Sequence, residues 1–217
     1  KGWGGILPPK VVQPMQIIHP ADESFATASI VQLRAAFLKF LSERPRRRMV
    51  DGQTVLTEWN NLFRPEFILD FKSHLAFLDQ LNDIWRVLAG GGLLMREVAE
   101  NERAAEVLAA AHGDETARWE QLAEFETAFF EFLHAQGLRP EVESIHLAKF
   151  SAKALPDEIE EVVLPGLVDP VAVVYDVLRQ QRDTVKVNVL ISAEAADADK
   201  FDEWGRPKTE AWTGRNS

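Results

Sequence analysis

Apolar positions recur at spacings of three and four along most of the chain, and this pattern predicts a succession of helices. Ile30, Leu33, Phe37, Leu38 and Leu41 share one helical face, which places a first helix over residues 24–43 with Pro45 as its stop. Residues 54–63 read as a short helix. Pro65 suits the first position of the next, which runs to about Ala89 with Phe67, Ile68, Phe71, Leu75, Leu78, Leu81, Trp85 and Leu88 inward. Gly90, Gly91 and Gly92 close that helix. Two more follow, over 93–111 and 114–136, with Asp114 as an N-cap. The second of them buries Trp119, Leu122, Phe125, Phe129, Phe132 and Leu133.

Beyond Pro140 the period changes. Residues 142–150 fit either a strand or a short helix beginning at Pro140, and 156–164 read as a short acidic helix. Asp169-Pro170 is a cap followed by proline, opening a helix to about residue 182. Val185, Val187, Val189 and Ile191 alternate cleanly, so 184–192 is a predicted strand. Its expected partner is 142–150 or a strand of another chain, because a lone strand leaves its backbone groups unpaired.

The two ends show neither period. Residues 1–23 hold four Pro and three Gly, which favours an extended arm. The tail over 193–217 is acidic and then aromatic. The expectation is a mainly α protein: an irregular multi-helix bundle over 24–137 and an α+β segment over 138–192 packed on it. A small β element lies in the C-terminal third, with extended arms at 1–23 and 193–217.

Composition supports a real core, with 46% apolar residues including 13 Phe and 6 Trp in 217. The formal net charge of −10 argues against a dedicated nucleic-acid binder and against attraction to anionic membrane surfaces. There is no cysteine, so disulfides and thiolate metal sites are excluded. The longest charge-free apolar stretch, Val87 to Met95, is far short of the ~20 residues a membrane span needs.

Candidate chemistry is sparse. Glu131 with His134, and Glu143 with His146, are two Glu-x-x-His pairs. On long helices such pairs bind metals in di-iron bundles, but here they flank a Gly-Leu-Arg-Pro break, and a histidine in a last helical turn is favoured by the helix dipole alone. The acidic residues Glu115, Glu120, Glu124, Glu126 and Glu131 read as a solvent face. The arginines at 44 and 46–48 form the one basic cluster, and Arg46, Arg47 and Arg48 are candidates to grip an anion or an acidic surface. The Gly90–Gly92 run lacks phosphate-loop spacing, and no Gly-x-Ser-x-Gly elbow is present.

These observations point to a non-enzymatic structural or interaction subunit of a larger protein assembly, with no cofactor. Its partners would be other proteins or copies of itself. Trp3, Ile17 and Ile18 on the N-terminal arm and Phe201, Trp204 and Trp212 on the tail are the expected contact residues, the alternative being that the arms fold back on the protein's own body. Two other readings remain: a small helical metalloprotein or metalloenzyme with a Glu/His site, and an accessory protein that binds an anionic partner through the Arg cluster.

Overall fold

The computed structural model describes residues 10–12, 14–18, 24–43, 47–50, 53–56, 59, 62, 71–101, 115–151, 154–166 and 171–212. Within them the fold is mainly α with small β elements. The helices are α1 (Ile30–Glu43), α2 (Phe71–Gly90), α3 (Met95–Ala99), α4 (Glu115–His134), α5 (Glu141–Ala148), α6 (Ala172–Gln180) and the short α7 (Thr209–Trp212). Three strand pairs accompany them. β1 (Ala26–Thr27) runs parallel to β4 (Leu138–Arg139), β2 (Arg47–Val50) antiparallel to β3 (Gln53–Leu56), and β5 (Glu161–Pro165) parallel to β6 (Lys186–Leu190).

Two apolar cores result. The first lies between α1, α2 and α4, whose inward faces are Leu33, Phe37, Phe40 and Leu41, then Leu78, Leu81 and Trp85, then Leu122, Phe125, Phe129 and Leu133. Its centre is aromatic. Phe40 meets Phe125 edge-to-face at 5.5 Å, Phe37 meets Phe129 at 5.5 Å, and Trp85 stacks on Phe129 at 6.1 Å. Each such pair adds about 0.5–1.5 kcal/mol beyond area burial. The β1–β4 pair ties the entry of α1 to the exit of α4, with the Ala26 N–H bonded to the Gly137 carbonyl at 3.0 Å.

The second core gathers Ile17, Ala148, Leu155, Leu164, Val173, Val174, Val177, Leu178, Val185 and Trp204. Ile145 on α5 packs against both cores and joins them. The end of α2 is pressed close to this junction: a Cβ on Gly90 would lie 2.9 Å from Val171 Cγ1.

Several expectations are corrected. Residues 53–56 are a strand, not the start of a helix, and Arg47 and Arg48 of the basic cluster lie on its antiparallel partner. Of the two readings offered for 142–150, the short helix beginning at Pro140 is the one found: α5 spans Glu141–Ala148 with Pro140 as its N-cap. Residues 161–164 of the expected acidic helix belong instead to strand β5, and it is this strand, not 142–150 or another chain, that pairs with β6. The first helix begins at Ile30 rather than Ser24. Asp114, Asp169-Pro170 and residues 102–111 of the expected 93–111 helix lie outside the described residues; within 93–101, Met95–Ala99 is helical. No helix among the described residues is long and apolar enough to cross a membrane.

Candidate functional site

Ionisable side chains gather where α3, α4 and α5 meet, in two linked groups. Glu126 is the deeper. It falls four residues after Leu122 and three before Phe129, so the helical period turns it inward and leaves it 1% exposed. Its carboxylate accepts hydrogen bonds from the backbone N–H groups of Met95 (3.0 Å) and Arg96 (3.3 Å). Those donors open α3 and have no partner within the helix. Burial pushes the Glu126 carboxyl up from the ordinary glutamate range, against the opposing pull of the Met95 and Arg96 N–H groups and the Arg96 charge. Glu97 completes the cap by accepting from the Leu94 N–H at 2.8 Å.

His146 reaches the same place from α5. Its Nδ1–H donates to the Gly92 carbonyl at 3.1 Å and lies 3.4 Å from Glu97 Oε2. A carbonyl and a carboxylate only accept, so Nδ1 carries the proton. Lys149 also donates to the Gly92 carbonyl and sits 3.6 Å from Glu97. Burial holds the His146 imidazole below its ordinary range despite the nearby Glu97 charge. The turn after α2 is thereby tied to α5.

The second group is centred on Glu143. His134, the last residue of α4, donates Nε2–H to Glu143 Oε2 at 2.7 Å, and Arg139 Nε lies 3.8 Å from the same oxygen. Phe25 covers both partners, with its ring 4.7 Å from the His134 ring and 4.7 Å from the Arg139 guanidinium.

The two Glu-x-x-His pairs therefore do not converge. His134 pairs with Glu143, His146 with Gly92 and Glu97, and Glu131 is exposed. Among the described residues no group of three or more His, Asp or Glu side chains gathers to hold a metal ion. The reading of Glu126 as part of a solvent face is overturned by its burial. Glu97, Arg139 and Lys149 were not singled out from the sequence, and the position of Glu126 among Leu122, Phe125 and Phe129 was a usable signal of its burial.

The predicted contact residues separate. Ile17 is buried in the second core and Ile18 packs against it. Trp204 is 3% exposed, with its ring 4.8 Å from Tyr175 and the Arg179 and Arg182 guanidinium groups 5.8 and 5.9 Å above it. Phe201 is half-buried and bridges Pro207. Asp202 shapes this turn by accepting from the N–H groups of Trp204 (2.8 Å) and Arg206 (2.9 Å) and from Arg206 Nε (2.8 Å). Burial raises the Asp202 carboxyl, but these bonds outweigh it and hold the group below its ordinary range. Trp212 lies on α7. Trp3, Arg46 and the side chains of Arg47, Arg48 and Trp212 lie outside the described residues.

No protein-family model matches the chain, and no curated protein or solved structure matches it significantly.

Proposed function

We propose that the protein is a non-enzymatic structural or interaction subunit of a larger protein assembly. The observation that carries this reading is the use made of the buried polar groups. Glu126 caps α3, Glu143 holds His134 at the end of α4, and His146 ties α5 to the turn after α2. Each joins two segments of the chain, so the polar interior is architectural. The outer surface, by contrast, keeps large apolar side chains in water: Val31, Phe71, Val87 and Phe150 are all more than half exposed. Surfaces of that kind mark contacts with other proteins when they are contiguous. Ile17 and Trp204 are spent on this chain's own second core, which shifts the contacts with neighbours from those two side chains to the body.

Affinity purification from the native source, with mass spectrometry and light scattering, tests the proposal. Stoichiometric protein partners or a homomeric particle are the expected result. A monomer that retains no partner would sink it.

A further inference from the structure

The β5–β6 pair is a two-stranded parallel sheet at the protein surface. Parallel sheets are ordinarily buried inside larger sheets, and two strands alone are marginal. Its outer face carries Val163 and Leu190, which are 47% and 55% exposed. The direction of its backbone groups follows from two bonds: Lys186 N–H to the Glu160 carbonyl (2.9 Å) and Gly166 N–H to the Leu190 carbonyl (2.8 Å). Backbone groups alternate in direction along a strand, so even-numbered residues of both strands face each other. Odd-numbered residues point away. On β5 these are Glu161, Val163 and Pro165, and Pro165 has no N–H to offer, which blunts that edge. On β6 they are Val187 and Val189, whose backbone groups have no partner among the described residues. That edge holds no proline.

We propose that the β6 edge pairs antiparallel with β6 of a second copy about a two-fold axis at Asn188, forming a four-stranded sheet. This rests on the assembly reading above and names its partner and contact. The edge is complementary to itself. Val187 of one copy stands opposite Val189 of the other, and the two exchanges satisfy every outward N–H and C=O of both residues. Shifting the axis by one residue either way would bring in Val185, whose N–H is already bonded to the Gln181 carbonyl at 2.8 Å, or Ile191 beyond the strand end. In the proposed register Asn188 faces Asn188, and Lys186 faces Leu190 of the other copy. No like charges are opposed, and the exposed Leu190 gains cover from the Lys186 stem.

Two substitutions of the exposed Leu190 test the pairing through charge. Leu190→Glu places a carboxylate opposite the second copy's Lys186, and Leu190→Lys places an ammonium there. Cross-strand pairs of this kind occur twice per dimer, so the first variant should dimerise about 2- to 30-fold more tightly than the second. Sedimentation velocity over a concentration series reads the difference. Amide hydrogen exchange supplies a second measurement on the unaltered protein: the Val187 and Val189 N–H groups become protected as the dimer forms. A protein that stays monomeric overturns the proposal. A dimer indifferent to the sign of the charge at 190, with Val187 and Val189 exchanging freely, overturns it too while leaving the assembly reading standing on another face.

Discussion

Replacing Glu126 with alanine removes the acceptor shared by the first two N–H groups of α3 and leaves the Met95 N–H buried and the Arg96 N–H partly buried. An orphaned buried donor costs about 1–3 kcal/mol. Relief of carboxylate burial offsets part of this, so the expected net loss is about 2–4 kcal/mol. Glu126→Gln keeps one acceptor but turns its amide NH2 toward the other N–H, and about half that loss is expected. The pH dependence separates the two carriers. Because the folded-state carboxyl is held above its unfolded value, the native form binds the proton more tightly. Its contribution to stability is full below the unfolded value and is lost as pH rises through the raised one. The glutamine variant lacks this dependence, so the advantage of Glu126 over glutamine widens as pH falls through the raised folded value toward the ordinary glutamate range. Urea unfolding followed by circular dichroism measures both. A loss below about 0.5 kcal/mol for Glu126→Ala, within the range of ordinary surface substitutions, would refute the capping argument. An advantage that narrows on acidification would refute the electrostatic one.

Other outcomes follow from the packing. Trp204→Ala opens a large hole in the second core and should cost about 3–5 kcal/mol by thermal or urea unfolding. Gly137 and Gly205 have φ of +71° and +75°, so alanine at either is strained by about 1–2 kcal/mol. Gly137→Ala should cost only that, since nothing lies within 4 Å of the added Cβ. Gly205→Ala should cost clearly more, because its Cβ would lie 2.6 Å from Ile191 Cγ2 and 3.0 Å from Val189 Cγ1. The depressed Asp202 carboxyl gives the tail stability that is present above the ordinary aspartate range and lost as pH falls through the lower folded value. Hydrogen exchange of residues 202–206 should therefore rise at acid pH in the native protein and show no such step in Asp202→Asn.

The helices that sequence reveals best are those with long apolar stripes. α1, α2 and α4 were legible because Phe37, Leu78 and Phe129 each sit in runs of three- and four-residue spacing. β6 was legible from its alternating valines, but its partner was not. Residues 161–165 follow a stretch of Asp and Glu that looks helical, and the strand is imposed by contact with β6, a tertiary effect absent from local sequence. The hairpin was missed although the Asp51-Gly52 dipeptide between β2 and β3 is a recognised two-residue turn signal. In the polar cluster the Glu-x-x-His spacings suggested one grouping. Chain topology made another, since Glu97 and Gly92 come to His146 from about 50 residues away and no local period encodes that meeting.

The second core joins Ile17, near the beginning, to Trp204, near the end. A ribosome releases these residues far apart in time. The bundle's apolar partners are all present once Ile145 has been added, yet Trp204 comes 59 residues later. At about 5–20 residues per second that interval is roughly 3–12 s. Once α6 has been added, its inner face lacks its aromatic cover until Trp204 follows. Newly made chains thus pass through a period in which the first core is folded and the second is still adhesive, and the arrival of Trp204 ends that period.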